Sequence, residues 1–402
     1  MKIISHFQIL VLTALVLAAT SALADKKYGP GVTDTEIKIG QTMPYSGPAS
    51  SYGTIGRSQL AYFKMINDQG GINGRKINLI SVDDAYSPPK TVEQTRRLVE
   101  QDEVLFTFQS LGTPTNTATQ KYMNAKKVPQ LFIATGATKW GDPKTFPWTM
   151  GWQPNYQTEG QLYAQYLQRH KPDARIAVLY QNDDYGKDYV KGLHDGLGSQ
   201  SGRFIVQEIS YEVTDPTVDS QIVSLKASGA DVLLIFAIPK FAAQAIRKTY
   251  DMGWKPMIFI NNVSASVAAV LQPAGLDKSV GLITALYLKD PTDPQWESDA
   301  AMKEWFVWMK KYYPDGDLKE LFNVYGHAAA QTLVQVLRQC GDDLTRENVM
   351  RQAANLKNIE IRLLLPGMRI NTSPTDFYPI EQVQLARFDG TRWVLFGEVL
   401  GK

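Results

Sequence analysis

Strand-sized apolar runs alternate with stretches of helical period along most of this chain, and the series runs twice, on either side of a Trp-rich interruption from Phe146 to Pro154 (FPWTMGWQP). Strict alternation restricts the fold severely, because parallel strands cannot be joined by a tight turn and are reached through covering helices with right-handed crossovers. Before the interruption the expected strands are Glu36 to Thr42, Ile77 to Val82, Val104 to Phe108 and Gln130 to Ala134. After it comes a helix from Tyr156 to His170, then strands Arg175 to Tyr180, Phe204 to Ser210, Asp231 to Ala237 and Met257 to Asn261. The intervening helices carry core stripes, among them Leu60, Phe63 and Ile66; Val190, Leu193 and Leu197; and Val218, Ile222 and Leu225. The pattern predicts an α/β protein of two domains, each a parallel sheet with helices on both faces, and FPWTMGWQP reads as the crossover between them. A further apolar strand from Val280 to Leu288 leads into helices at about Pro294 to Tyr313 and Glu320 to Cys340. The chain then closes in a hairpin, Gln382 to Phe388 and Arg392 to Val399, turned at Asp389-Gly390.

Two strand ends in the first series have the composition of a ligand cradle. After the run ending at Phe108, Thr113 reads as a helix N-cap with Pro114 as the first helical residue, which points a helix N-terminus away from the strand end. After the run ending at Ala134, Thr135-Gly136-Ala137-Thr138 offers two hydroxyls and backbone N–H groups with little bulk, a place where an anionic oxygen can approach. Both lie at carboxyl ends of strands, where open α/β sheets bind ligands. The same residues would equally serve as ordinary βα turns. The neighbouring acids Asp83-Asp84 do not converge on one ion, since adjacent strand residues point to opposite faces, and read as capping and surface residues.

Composition removes several classes of function. The 402 residues, 44% of them hydrophobic, suffice for two separate cores. A net charge of +2 with no basic block gives no support for nucleic-acid binding or a polybasic membrane patch. Cys340 is the only cysteine, and His170, His194 and His327 stand far apart once His6 is set aside, so neither a disulfide framework nor a metal site is expected. No nucleophile elbow, phosphate loop or Cys-His pair occurs, so no catalytic residue and no cofactor is expected; a triad built from distant residues would leave no such trace, and a secreted hydrolase stays as the competing class. At the N-terminus, Lys2 and His6 precede an apolar run from Ile9 to Ala19 and the small-residue site Ser21-Ala22-Leu23-Ala24, the pattern of a signal peptide cut after Ala24. The run is shorter than the roughly 20 residues that span a bilayer, so a mature, exported chain without membrane insertion is expected.

The loop Ser46 to Gly53, the Gly70-Gly71-Ile72-Asn73-Gly74 turn, Gly136-Ala137-Thr138 and Asp184-Tyr185-Gly186, in that order, resemble the periplasmic solute-binding proteins of branched-chain amino acid ABC transporters. That resemblance implies a type I periplasmic binding protein: two doubly wound parallel-sheet lobes joined by three crossovers, closing on a small-molecule ligand and docking, as a monomer, on an inner-membrane ABC permease, or in a sensory role on a receptor. It places the crossovers near Met150 to Gln153, Gly281 to Leu286 and Pro366 to Ile370, one lobe at residues 25–151 and 284–366 and the other at 152–283 and 367–402. It also implies a ligand carboxylate held by Leu111-Gly112-Thr113, the Gly136 carbonyl, and the Thr138 hydroxyl and N–H, with Tyr52, Tyr185 and Phe322 as pocket wall. Three positions depart from the relatives. Tyr86 and Leu111 stand where a disulfide is common, Ile238 where leucine-binding relatives have a Tyr, and Asn262 where they place the Glu that neutralises the ligand ammonium. The expected ligand is therefore a small hydrophobic carboxylate or amide; the alternative is an amino acid whose ammonium is met by Asp183 or Asp184.

Overall fold

A computed structural model describes residues 26–401; the expected signal segment and its cleavage site lie outside the described residues. Five parallel strands form the first sheet: β2 (Glu36–Met43), β3 (Lys76–Asp83), β4 (Thr107–Phe108), β5 (Gln130–Ile133) and β6 (Thr149–Gly151), in the order β3-β2-β4-β5-β6. The second sheet has seven, ordered β14-β13-β11-β10-β9-β7-β8. Its parallel part comprises β7 (Ile176–Gln181), β8 (Ile205–Tyr211), β9 (Val232–Phe236), β10 (Met257–Ile260) and β11 (Ile283–Leu286), and the hairpin β13 (Gln382–Phe388) and β14 (Trp393–Gly401) adds an antiparallel edge. A short parallel pair, β1 (Lys27–Tyr28) with β12 (Asp343–Leu344), ties the start of the described chain to the segment after the helix Leu321–Cys340.

The central strands are buried on both faces as a helix-covered parallel sheet requires, every residue of Val232–Phe236 being inaccessible, while the edge strands β3, β8 and β14 are only partly buried. Burial of each such side chain contributes roughly 1.5–3 kcal/mol of hydrophobic stabilisation. The helix Tyr156–His170 has the bounds its sequence suggests, begun by Asn155, whose side chain accepts from the Thr158 N–H. In the helix Gly53–Asp68, however, Leu60 is 41% exposed, and the buried face runs through Ile55, Tyr62, Phe63 and Ile66. That face packs on the helix Leu321–Cys340, where Ser58 donates to the Asn323 carbonyl at 2.8 Å, and this contact decides which stripe turns inward.

The Trp-rich segment is a crossover, but it also holds β6, a fifth strand of the first sheet. Immediately after it, Trp152 is fully buried and its indole N–H donates to Thr332 Oγ1 at 3.1 Å, which anchors the crossover to the helix Leu321–Cys340. The other two crossings fall later than the expected lobe limits. Residues 284–286 belong to β11, paired to β13 in the second sheet, so the chain leaves that sheet only after Leu286. On the return, Thr372 is still hydrogen-bonded to Leu356 on the first side, beyond the expected Pro366 to Ile370. Asp83 and Asp84 take different partners, as adjacent strand positions should: Asp83 accepts from the Tyr45 and Ser46 N–H groups, whereas Asp84 is buried and accepts from Tyr86 N–H and Thr91. No helix among the described residues is long and apolar enough to cross a membrane.

Candidate ligand site

Between the two sheets lies a cavity with about 60 Å³ open to the centre of a water molecule. At roughly 10–15 Å³ per water measured this way, the space suits a few small polar molecules or one compact solute. The first side contributes Tyr52, Tyr86, Leu111, Gly112, Thr113 and Phe322, and the second contributes Tyr185, Ile238, Asn262 and Val263. Six tyrosines and Phe322 line it, and none of the lining residues is charged.

Backbone geometry builds the first wall. Gly112, with φ 103°, caps the helix Thr113–Ala125, so Thr113 is its first residue and not its N-cap. Only glycine fits there, because a Cβ would stand 2.5 Å from Tyr86 Cε2. Tyr86 and Leu111 thus supply wall by packing where a disulfide was the family alternative. Freed from capping, the Thr113 hydroxyl meets that of Thr135 at 2.5 Å, and both residues face the cavity beside a helix N-terminus whose first N–H groups lack helical acceptors.

Eight of the expected site residues line the cavity: Tyr52, Leu111, Gly112, Thr113, Tyr185, Ile238, Asn262 and Phe322. Gly136, Ala137 and Thr138 do not. The Gly136 carbonyl accepts from Tyr156 N–H at 2.9 Å, and Gly136 and Ala137 face an adjoining recess too tight for water. Thr138 opens a short helical turn, Thr138–Gly141, that carries it past the cavity; its N–H and hydroxyl both donate to Asp188 Oδ2, at 2.7 and 2.9 Å, on the helix Asp184–Leu197. With the 2.7 Å ion pair between Lys139 and Asp184, Thr138 holds the two lobes together and has no donor left for a carboxylate. Two further clasps cross the cleft: Tyr52 OH donates to the Val263 carbonyl at 2.9 Å, and Ser266 Oγ to Glu320 Oε1 at 2.7 Å.

Both walls also depend on groups that local sequence did not mark. Tyr86, Tyr156, Tyr287 and Tyr325 also face the cavity, and burial pushes the Tyr52, Tyr86 and Tyr185 hydroxyls well above their usual range, which keeps them protonated. Tyr185 OH donates to the side-chain oxygen of Asn261, whose amide nitrogen then reaches the Ile235 and Ala237 carbonyls at 3.2 Å. Asp183 is spent on capping the helix Asp184–Leu197, and Asp184 on Lys139, so neither acid reaches the cavity. The acid behind Asn262 is Glu159, 1% exposed, whose oxygens accept from the Asn262 N–H at 2.8 Å and Nδ2 at 2.6 Å. Tyr163 and Tyr189 hydroxyls complete its shell at 2.6 and 2.7 Å. Burial raises the Glu159 carboxyl to about 7 even though these donors favour its ionised form. Its sequence signal was its place three residues after Tyr156 and four before Tyr163, on the buried stripe of their helix.

A profile of the periplasmic binding protein family matches residues 36–392. The chain is a periplasmic binding protein. Among its relatives, the Leu/Ile/Val-binding protein homolog 1 of Brucella suis is 26% identical over 335 residues, covering 81% of this chain and 84% of the relative. The branched-chain amino acid ABC transporter protein from Thermus thermophilus, solved with bound valine, superposes with a TM-score of 0.82 at 16% identity, over 92% of this chain and 98% of that one. A fatty acid ABC transporter substrate-binding protein from Thermomonospora curvata does so with a TM-score of 0.78 at 23% identity, over 94% and 95%. Members of this family bind substrates for transport and are not enzymes, and the two sheets with their intervening cavity are the lobes and cleft of a periplasmic binding protein.

Proposed function

We propose that this periplasmic binding protein captures a small hydrophobic carboxylate or amide between its lobes and delivers it to an inner-membrane ABC permease. The observation that carries the reading is the wall itself: aromatic and aliphatic side chains, the Thr113–Thr135 hydroxyls beside a helix N-terminus, and no charged residue among those lining the cavity. A helix N-terminus and hydroxyls suit an anionic or carbonyl oxygen. An α-ammonium buried in the same cleft would find no carboxylate, and its desolvation would go uncompensated by several kcal/mol. A second reading, capture of a branched-chain or other hydrophobic amino acid, is favoured by the Leu/Ile/Val-binding relative. Mass spectrometry of the solute released by denaturing the freshly purified protein separates the two. A carboxylate or amide with an apolar body and no α-ammonium is expected. Recovery of leucine, isoleucine or valine would transfer the assignment to the second reading, and recovery of a cleaved product would point to a hydrolase.

A further inference from the structure

The side chains that line the cavity leave one buried polar atom unused. Asn262 is 6% exposed, and its Oδ1 is the single buried side-chain atom among the lining residues without a hydrogen-bond partner. The orientation of that amide is set from behind the wall. Nδ2 donates to Glu159 Oε2 at 2.6 Å, so turning the amide over would press two oxygens together at that distance. Glu159 does not line the cavity, and each of its oxygens already accepts two hydrogen bonds, Oε1 from Tyr163 OH and Asn262 N–H, Oε2 from Tyr189 OH and Asn262 Nδ2. It therefore acts as a positioning group for Asn262 and not as a counter-ion for a ligand. An acceptor held this rigidly in a closed cleft is costly unless a ligand donor meets it.

We infer that Asn262, oriented by Glu159, selects ligands that carry an uncharged hydrogen-bond donor, an alcohol O–H or amide N–H, beside the apolar body. This rests on the proposed capture of a hydrophobic carboxylate or amide, and it divides that class: a plain alkyl or aryl carboxylate leaves Oδ1 unpaired, whereas its hydroxy or amide counterpart satisfies it.

The test is calorimetry on the whole mature protein, stripped of solute, with matched probes: 4-methylpentanoate against 2-hydroxy-4-methylpentanoate and 4-methylpentanamide, phenylacetate against mandelate, and leucine as the ammonium counterpart. The donor-bearing member of at least one pair binds about tenfold tighter or more, since a site built for a hydroxyl or N–H rejects the analogue that lacks it. In Asn262→Leu, which keeps the number and branching of the side-chain heavy atoms but cannot accept, that advantage falls below about threefold. In Glu159→Gln the donor-bearing member loses more affinity than its plain partner, whereas a merely structural role would weaken both alike. Equal binding of paired members, or an advantage that survives Asn262→Leu, overturns the inference and leaves the proposed ligand class standing, whereas leucine binding tighter than its hydroxy analogue overturns both the inference and that class. If no member of any pair binds, that class is itself wrong and the inference falls with it.

Discussion

On the side of the five-stranded sheet the cavity wall offers donors, the hydroxyls of Thr113 and Thr135 beside a helix N-terminus. On the side of the seven-stranded sheet it offers an acceptor, the Asn262 oxygen, with a buried acid behind it. The donor wall is made within one sheet by the ends of two adjacent strands, Thr113 opening the helix after β4 and Thr135 lying just beyond β5, 22 positions apart. The acceptor wall joins residues 103 positions apart, because Glu159 lies on the helix after the first crossover and Asn262 follows β10. The contrast teaches that the two walls fail differently: the donor wall is local and tolerant of small changes in its partner lobe, whereas the acceptor wall is a tertiary network that stands or falls as a unit.

The largest effect should come from dismantling that network. Glu159→Ala leaves the Asn262 N–H and amide and the Tyr163 and Tyr189 hydroxyls without their common acceptor. Urea unfolding should register a loss of about 3 kcal/mol or more; a loss under about 1 kcal/mol would mean the network is not a unit.

Next comes pH. Glu159 and Glu320 are both held at about 7 by burial, against a usual value of 4.5. Glu159 faces Tyr163, Tyr189 and Asn262, and Glu320 faces Ser266 and the Phe322 N–H with Asp290 and Asp317 nearby. A raised carboxyl pKa means that the fold prefers the protonated form. Its destabilising contribution is absent below about pH 4.5, grows through the window up to about 7 and is complete above it, reaching on the order of 3 kcal/mol per group. Comparing Glu159→Gln with the parent between pH 5 and 8 should show a flatter fall of stability with rising pH in the variant; parallel curves would place the Glu159 carboxyl back in its ordinary range.

On the donor wall, Thr113→Val should weaken binding of the co-purified solute by roughly 1.5–3 kcal/mol if its hydroxyl meets a charged oxygen. Thr138→Ala, whose lost bonds run to Asp188, should change the affinity less and shift the open–closed balance instead. Calorimetry on both variants decides, and a reversed order would return the carboxylate site to the Thr138 loop. The smallest effect is expected from Tyr52→Phe, which removes one neutral bond to the Val263 carbonyl across the cleft. About 1 kcal/mol is lost, seen as faster ligand release by stopped flow with little change in association, since such contacts form late in closure.

The periodicity of the chain determined the architecture by itself. Alternating strand and helix periods admit few arrangements, and the helix Tyr156–His170 and the hairpin β13–β14 emerge where the pattern puts them because local propensity, burial and turn chemistry agree there. The strand-end loops were legible for the same reason, and so were Gly112 and Thr113, which follow directly from a strand whose direction the fold class sets, whereas Leu111 was expected through the family resemblance. Where a residue's role depends on what a distant segment brings to it, sequence was silent or misleading. Leu60 fits the stripe of its helix yet faces solvent, because the register against the helix Leu321–Cys340 selects the neighbouring stripe. Thr138 has the chemistry of a carboxylate ligand, but closure of the lobes sets Asp188 on its donors first. Asn262 reads as a charge removed; only the packing of a helix from beyond the crossover shows Glu159 beneath it, converting a lost counter-ion into an oriented acceptor. Local sequence sets which groups a segment can present, whereas the partner each group meets is decided by desolvation and hydrogen bonding between segments far apart in the chain, which short-range pattern does not encode.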